Sequence, residues 1–234
     1  MVLSFNQPAF IPWGGFFARL MAADRMVLLD DTLFARGFTF VNRNRIKGPD
    51  GQVWITVPIK KKGRGRQKIR DLEIYQKPYW AGKFAQTLRH SYGKSVYFED
   101  LHELLMRIIR TDGPRFLLLA GDILECLRRQ LAIETPFLLQ SEIGVEARGI
   151  DLLIEIARKL GADEVILPFP ASRLLDWRQI AEAGIGVRFL KFASHVYPQF
   201  WGEFTANLSV LDLLFCVGPA GRQLLEKSFT LVAL

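Results

Sequence analysis

Hydrophobic and polar residues in the N-terminal part of the chain predict one strand–helix–strand unit. Val2–Asn6 is mostly apolar and predicts a strand, and Gly15–Ala23 has the spacing of a helix. Met26–Leu29 is a continuous apolar run, as expected for a strand buried on both faces. Residues 7–15 contain two prolines and two glycines, which predict a rigid turn. In open α/β sheets, a turn at this position lies where ligands bind.

A regular alternation of helices and strands returns in the C-terminal half. The predicted elements are a helix over Ala147–Leu160, a strand over Glu164–Leu167, a helix over Ala171–Ala183 and a strand over Val187–Phe192. Alternation with such short loops is typical of a parallel sheet covered by helices. We therefore expect an α/β fold with a mostly parallel, Rossmann-like sheet flanked by helices.

The middle of the chain adds a β-hairpin and a helical segment to this sheet. Phe38–Val41 and Val53–Val57 flank the turn sequence Gly48-Pro49-Asp50-Gly51, so we expect these two stretches to pair as a hairpin. Three helices are expected over Tyr79–Tyr92, Phe98–Arg110 and Arg115–Leu131. The chain shows no internal repeat or low-complexity linker. We therefore expect a single α/β domain over residues 1–234 with a helical insertion at about 79–132.

Composition narrows the class of protein. Half of the 234 residues are hydrophobic, enough for a buried core, and no apolar run approaches the ~20 residues of a membrane helix. Met1–Ser4 lacks the basic flank and long apolar core of a signal peptide, so we expect a cytoplasmic protein without a membrane span. Cys126 and Cys216 are far apart and only three histidines are present, so we expect no metal site. The composition names no cofactor.

The net charge of +7 arises in one segment of the chain. Lys60–Arg70 holds seven basic residues and no acidic one; removing those seven from the 31 basic residues leaves 24, equal to the number of acidic residues. Lys60–Lys68 lies between Val53–Val57 and Ile69–Ile74, a second alternating stretch, and so predicts a mobile hairpin loop. Three interpretations are open: a solvated loop, capture of an anion such as a nucleotide sugar, or nucleic-acid binding. Its short length and lack of interleaved aromatic residues disfavour nucleic acid.

The turn after the first strand is a candidate for substrate binding. Gln7 ends a buried strand and must find a partner or meet solvent. It is therefore predicted to line a pocket together with Pro12, Trp13 and Gly15. The alternative is a hydrophobic turn that only packs.

A polar segment between the aromatic residues of one predicted strand and the Gly-Pro turn is the second candidate. Its side chains are Asn42, Arg43, Asn44, Arg45 and Lys47. Arg43 or Arg45 would make bidentate contacts to a carboxylate or phosphate while the asparagines orient it. The alternative is a solvated loop.

Two side chains are candidates for catalysis. Asp30 follows the second predicted strand at its C-terminal, ligand-facing end. His90 lies near the end of a predicted helix and is the candidate general base. A structural histidine is the alternative, because a helix C-terminus favours the charged imidazole in any case. The sequence contains no nucleophile-elbow, P-loop or dinucleotide-binding glycine motif.

Motifs spread along nearly the whole chain carry a resemblance to one protein family. The first are Gln7-Pro8-x-Phe10-x-Pro12-Trp13-x-Gly15-Phe16-Phe17, Ala23-Asp24, Leu29-Asp30-Asp31 and Asn42-Arg43-Asn44-Arg45-Ile46-Lys47, then Trp54, Pro58 and Trp80. The later ones are the Tyr92–Phe98 stretch, Gly161-Ala162-Asp163, Gly184-Ile185 with Val187, Tyr197-x-Gln199 and Leu208–Phe215. In these residues the chain resembles the WbqC-like proteins.

The resemblance implies a role in bacterial surface-polysaccharide biosynthesis, because WbqC-like proteins are associated with O-antigen (lipopolysaccharide) gene clusters. It implies a transferase or ligase that acylates or aminoacylates a nucleotide-linked amino sugar, so the expected partner is a small anionic substrate. Pro168-Phe169-Pro170-Ala171 stands where we expect a small Ser-Gly loop in the family, and its prolines remove backbone donors. Self-association is left open.

The first turn also resembles part of the motif of HxGH-type nucleotidyltransferases, in which Pro12 and Gly15 would align. Trp13 and Phe16 stand where the catalytic histidines would lie, so we do not expect histidine-dependent adenylyl transfer. The missing histidines also favour the alternative function, a non-catalytic ligand-binding or scaffold protein on an α/β fold.

Overall fold

The computed structural model describes residues 1–35, 39–111 and 113–234. Eight strands lie in these ranges: β1 Val2–Asn6, β2 Arg25–Leu28, β3 Arg43–Gly48, β4 Gly51–Thr56, β5 Phe137–Leu139, β6 Glu164–Pro168, β7 Gly186–Phe192 and β8 Phe229–Val232. The α-helices of the same ranges are α1 Gly14–Ala22, α2 Lys77–Tyr92, α3 Phe98–Thr111, α4 Phe116–Gln130, α5 Gln140–Ile143, α6 Gly149–Lys159, α7 Ala171–Leu174, α8 Arg178–Glu182, α9 Val210–Val217 and α10 Gly221–Glu226.

Six of the strands form one sheet in the order β5-β2-β1-β6-β7-β8. The first five run parallel, and β8 pairs antiparallel with β7 at one edge. Counted along the chain, the strands of this sheet lie in the order 3-2-1-4-5-6, which is the order of dinucleotide-binding folds. The predicted mostly parallel, Rossmann-like sheet flanked by helices is confirmed.

Apolar side chains cover both faces of the sheet. On one face, Leu3 of β1 shares a buried cluster with Ile156 of α6. On the other face, Phe16 of α1 and Leu28 of β2 belong to a larger cluster. Val27 and Leu28 are adjacent in β2 and are both buried, one in each cluster. Successive strand residues point to opposite faces, so β2 is covered on both sides, as its continuous apolar run predicts.

β3 and β4 form a separate antiparallel hairpin that closes at Gly48 and Gly51. The turn requires glycine at Gly51, whose φ is +106°. The predicted hairpin is confirmed, but its first strand is the polar segment Arg43–Gly48 and not Phe38–Val41. Phe38 lies outside the described residues.

The basic segment ends without the strand predicted at Ile69–Ile74. That stretch begins with a 3₁₀ turn, and an isolated antiparallel bridge joins Ile74 to Ile59. The amide of Lys60 donates to the carbonyl of Glu73 (2.9 Å), which closes the base of the loop. The segment is therefore a loop held at its base by a short bridge, and not the turn of a regular hairpin.

The helix predicted over Ala171–Ala183 is divided into α7 and α8. Leu175, directly after α7, has an extended backbone with φ −117° and ψ 146°, which ends the first helix. The interruption allows Trp177 to pack edge-on against Phe189 of β7, with ring centroids 5.4 Å apart. Tertiary packing on the sheet thus overrides a continuous helical pattern.

α2, α3 and α4 occupy the predicted helical insertion. Trp80 and Phe84 of α2 stack on one another, and each ring lies 5.7 Å from the ring of Phe10 in the turn after β1. This packing joins the insertion to the C-terminal edge of the sheet. A single domain over residues 1–234 stays a prediction. Each helix in the described ranges is too short or too polar to span a bilayer.

Candidate functional site

A cavity of about 560 Å³ lies at the C-terminal ends of β2 and β5. Its lining comes from the residues after β2, the residues after β5, the loop that leads into α6, and the basic segment. These residues are Asp31, Thr32, Leu33, Lys68, Arg70, Gln140, Ser141, Gly144, Val145, Glu146, Ala147, Arg148, Gly149 and Leu152. Because neighbouring parallel strands end at the same edge of a sheet, loops distant in sequence meet there.

Two cations of the basic segment stand at this cavity around one carboxylate. Lys68 Nζ lies 2.7 Å from Asp31 Oδ2, and Arg70 Nε lies 2.9 Å from Asp31 Oδ1. Both cationic side chains keep 41% of their surface exposed, so further donors are open to solvent. The backbone amide of Arg70 donates to the carbonyl of Asp30 (2.9 Å), which fixes the segment against the end of β2. Among the lining residues, the three basic side chains of Lys68, Arg70 and Arg148 outnumber the two carboxylates of Asp31 and Glu146, which leaves the rim with a net positive charge.

Two further cations of the basic segment are paired away from the cavity. Lys60 and Arg64 form ion pairs with Glu73, at 2.9 and 3.1 Å. The hydrogen bond from Lys60 holds the pKa of the Glu73 carboxyl below its ordinary value. The positive charge of the basic segment is thus partly neutralised. Some of its cations lie at the cavity, and others pair with Glu73 away from it.

The N-terminus of α6 borders the same cavity. Arg148 is the N-cap residue, its backbone is extended, and no side chain caps the first turn. The first amides of a helix lack intrahelical partners and carry the positive end of the helix dipole. Together with Lys68 and Arg70, these amides can hold an anion.

Asp30 lies behind the cavity wall. Its side chain is fully buried, and it accepts hydrogen bonds from the backbone amide of Ser141 (3.0 Å) and from Ser141 Oγ (2.6 Å). The neighbouring Gln140 is 3% exposed, and its Oε1 has no hydrogen-bond partner in the described part of the chain. In the cavity wall, the Asp30 carboxylate therefore has hydrogen-bond donors, whereas the side-chain oxygen of Gln140 has none among the described residues.

Gln7 is the second predicted site residue that the structure brings to this edge. Its Nε2 donates to Thr32 Oγ1 (3.0 Å), and Thr32 Oγ1 in turn donates to the carbonyl of Leu29 (2.7 Å). Gln7 thus contacts the cavity lining through Thr32.

Arg19, on the second turn of α1, is a buried cation that sequence analysis missed. It is 4% exposed and donates to Asn6 Oδ1 (2.5 Å) at the end of β1, while its Nε has no partner among the described residues. Burial lowers the pKa of the Arg19 guanidinium to about 10. A charged side chain at the C-terminal end of β1 adds positive charge to this edge of the sheet.

The other predicted residues of the first turn make packing contacts. The carbonyl of Pro12 accepts from the amide of Val210 (2.9 Å), and the Trp13 ring packs edge-on against Phe192 at 5.0 Å. Gly15 leaves room for that indole, since a Cβ there would lie 2.5 Å from it. Pro12, Trp13 and Gly15 are not part of the cavity lining given above, and their predicted binding role stays a prediction.

Asn44 of β3 and Asn42, directly before β3, are buried and donate hydrogen bonds to backbone carbonyls of neighbouring segments. Asn42 Nδ2 donates to the carbonyl of Val57 (2.7 Å), and Asn44 Nδ2 donates to the carbonyl of Ile11 (2.9 Å). The solvated-loop alternative for this segment is wrong. Its polar residues fit a strand because each buried amide finds a backbone acceptor.

The two arginines of β3 lie on the outer face of the hairpin. The guanidinium carbons of Arg43 and Arg45 are 4.9 and 5.5 Å from the ring centroid of Trp54. Arg45 also donates to Gln52 Oε1 (2.8 Å). The structure does not bring them to the cavity at β2 and β5, and their predicted anion contacts stay a prediction.

Lys47 belongs to a buried polar network beneath the hairpin. Its Nζ donates to Gln199 Oε1 (3.0 Å) and to the carbonyl of Glu203. Asp212, fully buried, accepts from Tyr92 Oη (2.7 Å), Tyr197 Oη (2.8 Å) and Gln199 Nε2 (2.7 Å). Burial raises the pKa of the Asp212 carboxyl above its ordinary value. The network joins the hairpin, α2, α9 and the loop before α9.

His90 lies on the exposed side of α2, away from Asp30. Its imidazole stacks on Trp201 with centroids 6.4 Å apart, and Trp201 Nε1 donates to the carbonyl of Ser91 (2.7 Å). The structure does not bring His90 and Asp30 together, and a catalytic role for either stays a prediction. In the described ranges, no group of three His, Cys, Asp or Glu side chains is arranged to hold a metal ion.

Sequence analysis missed most of the cavity. Lys68 and Arg70 were visible only as members of a basic run, and Gln140, Ser141 and Arg148 drew no prediction. The available signal was positional: Gln140 directly follows the short apolar run Phe137–Leu139, which forms β5, at the end where parallel sheets bind ligands.

Comparison with known proteins gives one family. A model of the WbqC-like protein family matches residues 7–224 of the chain. The chain is 30% identical over 214 residues to a protein of Mycobacterium tuberculosis (strain ATCC 25618 / H37Rv) named "Uncharacterized protein Rv1507c", covering 91% of this chain and 92% of that protein. No solved structure matches the chain.

Proposed function

Because the chain belongs to the WbqC-like protein family, we propose that it is a transferase or ligase of bacterial surface-polysaccharide (O-antigen) biosynthesis. The substrate is a nucleotide-linked amino sugar, and the group added to its amine is an acyl or aminoacyl group. The association of WbqC-like proteins with O-antigen gene clusters supports this role. A cavity with a positively charged rim supports it from the structural side.

The cationic cavity at β2 and β5 is the observation that carries the proposal. Its volume of about 560 Å³ suits a small molecule, since ligand sites span about 300–1,000 Å³. Lys68, Arg70 and the N-terminus of α6 offer donors of three different kinds to phosphate oxygens. Arg19, buried beside the end of the neighbouring strand β1, adds positive charge to the same edge of the sheet. A diphosphate that bridges sugar and nucleoside has the charge to match.

Transfer to an amine requires removal of a proton and stabilisation of developing negative charge. The cations of the rim supply the second requirement. For the first, Ser141 Oγ donates its hydrogen to Asp30 Oδ2 and so presents lone pairs to the cavity. A proton leaving the amine passes to Ser141 Oγ as Ser141 gives its own proton to Asp30, so the buried carboxylate is the final acceptor.

Arg70→Gln tests the site, with Arg64→Gln as the matched control. Both arginines belong to the basic segment, are similarly exposed and form a close ion pair, Arg70 with Asp31 and Arg64 with Glu73, but only Arg70 lines the cavity. Loss of a charge-assisted bond to phosphate is expected to weaken binding about 10–100-fold in Arg70→Gln. Calorimetric titration measures the binding of UDP-glucose, GDP-mannose and dTDP-glucose, which carry the diphosphate of the proposed substrate without its amine and so probe the phosphate part of the site. Equal affinities of the two variants, or no binding of any of the three by the wild type, would refute the site.

The alternative is a non-catalytic ligand-binding protein. It is favoured by the absence of histidine and cysteine from the residues that line the cavity in the described ranges. Incubation with a nucleotide-linked amino sugar and an acyl donor separates the two functions. A transferase forms the acylated sugar, and loses this activity in Ser141→Ala, whereas a binding protein returns both compounds unchanged.

A further inference from the structure

We infer that a surface at the basic segment docks on a membrane that contains anionic lipids. The surface is formed by Leu33, Phe34, Lys61, Lys62 and Arg66, and we call it the basic–apolar surface. This inference goes beyond the proposed function and does not depend on it, because it assigns a partner to three cations that do not line the cavity.

Three cations of this surface lie at the exposed tip of the basic segment. Lys61, Lys62 and Arg66 form no ion pair in the described part of the chain, unlike the other four cations of the segment. Between them, Gly63 and Gly65 have positive φ angles, and a Cβ added at either glycine would meet nothing within 4 Å. The tip therefore faces open solvent, where a large partner can reach it.

An exposed apolar side chain lies beside these cations. Leu33 keeps 50% of its surface exposed, and an antiparallel bridge pairs it with the partly exposed Lys68. Residues paired in a bridge carry their side chains on the same side, so a leucine and an ammonium stand next to each other. The amide of Phe34 donates to the carbonyl of Gln67 (2.9 Å), and Lys61 Nζ lies 5.5 Å from the centroid of the Phe34 ring. Leu33 and the tip of the segment therefore lie close together at the surface.

Anionic lipids match both chemical parts of the basic–apolar surface. Their phosphates lie directly above an apolar boundary, so lysine and arginine can contact headgroups while a neighbouring leucine enters the acyl region. Nucleic acid fits less well, because single strands are bound by aromatic stacking, and the most exposed apolar side chain of this surface, Leu33, is aliphatic. Basic and acidic residues are equal in number outside the segment, so an anionic membrane attracts the chain mainly through it.

Cosedimentation of the full chain with lipid vesicles tests the inference. The probes are vesicles of phosphatidylcholine alone and vesicles of phosphatidylcholine and phosphatidylglycerol in equal parts. The wild type is expected to sediment only with the anionic vesicles, and to be released when NaCl is raised from about 0.05 M to about 0.5 M, because salt screens the attraction. Absence of cosedimentation with the anionic vesicles at the lower salt concentration would overturn the inference.

Two triple variants of equal charge separate this surface from an effect of net charge. Combining Lys61→Gln, Lys62→Gln and Arg66→Gln should weaken binding to the anionic vesicles about 100-fold, at about fivefold for each cation near an anionic leaflet. The control removes the same charge at three exposed positions outside the basic segment, by combining Lys83→Gln, Arg158→Gln and Lys227→Gln. The control should keep most of the affinity of the wild type, and equal losses in the two variants would overturn the inference.

Leu33→Ser distinguishes a lipid surface from a nucleic acid as the partner. Loss of the half-exposed leucine should weaken binding to the anionic vesicles about fivefold, because its apolar surface no longer leaves water. Binding to a single-stranded DNA oligonucleotide should be weaker than binding to the vesicles and should not change in this variant. DNA bound more tightly than the vesicles, with vesicle binding unaffected by Leu33→Ser, would identify nucleic acid as the partner and overturn the inference.

Discussion

Replacing Asp212 is expected to unfold or strongly destabilise the protein, because three buried donors depend on this one carboxylate. Tyr92 Oη, Tyr197 Oη and Gln199 Nε2 all donate to it within 2.8 Å. Each buried donor left without an acceptor costs about 1–3 kcal/mol. Asp212→Leu strands all three, and relief from burying a charge offsets part of this, so we expect a loss of about 3–6 kcal/mol.

Asp212→Asn is the milder partner of that variant. The side-chain amide keeps one acceptor oxygen, which can accept from Tyr197 Oη and Gln199 Nε2, the two donors bound to Oδ2 in the wild type. Only the hydroxyl hydrogen of Tyr92 then lacks an acceptor. We expect a loss of about 2–4 kcal/mol in the free energy of unfolding. Urea denaturation followed by tryptophan fluorescence measures both losses from the midpoint and slope.

The pH dependence gives a separate check of the same carboxylate. Burial raises the pKa of Asp212 in the folded chain. The folded chain therefore binds this proton more tightly than the unfolded chain, and the stability gained is lost as pH rises through the folded pKa. Asp212→Asn has no such proton, so its deficit in unfolding free energy should become smaller as the pH rises above 3.8, the ordinary pKa of this carboxyl. The reasoning fails if Asp212→Leu is as stable as the wild type, or if the deficit of Asp212→Asn grows with pH.

Two further substitutions test buried contacts near the first turn. Gly15→Ala places a Cβ 2.5 Å from the Trp13 ring and should lower the free energy of unfolding by about 1–3 kcal/mol. The control is Gly121→Ala in α4, where the added Cβ meets nothing within 4 Å and should raise the free energy of unfolding by about 1 kcal/mol. Equal stability of the two variants in denaturation curves would contradict this prediction. Burial lowers the pKa of the Arg19 guanidinium to about 10, so the folded chain holds this charge about 3 kcal/mol less favourably than water does. Arg19→Met removes the cost of the buried charge but leaves Asn6 Oδ1 without its donor. These two effects oppose each other, so the free energy of unfolding should stay within about 2 kcal/mol of the wild type. A variant that does not fold would contradict this prediction.

Sequence patterns predicted the sheet well because its strands carry local signals. Met26–Leu29 reads as buried on both faces, and the structure covers β2 on both faces. The same approach failed for Arg43–Gly48, which has no apolar alternation. Its strand is stabilised by distant groups, such as the carbonyl of Ile11 that accepts from Asn44. A local pattern cannot show that a polar side chain will find such a partner.

At the candidate site, two residues predicted from their position lie beside the cavity, whereas the residue predicted from its type does not. Asp30 and Gln7 were chosen because they end predicted strands, and both lie at the ligand edge of the sheet. His90 was chosen as a histidine, and it stacks on Trp201 at the exposed side of α2. The chemical identity of a side chain carries no information about the distance to its partners, whereas the end of a parallel strand does.

By itself, the sequence determined the α/β class, the turn after β1, the glycine turn of the hairpin and the family, because each depends on residues close together in the chain or on motifs. Only the tertiary structure decided where the cavity lies. The strand order places β5 beside β2, which brings Ser141 to Asp30 across 111 positions of sequence. The basic segment packs against the end of β2, which brings Lys68 to Asp31 across 37 positions. The physical reason is that strand pairing joins residues far apart in the sequence and depends on how whole faces of the sheet pack, so a local sequence pattern does not predict it.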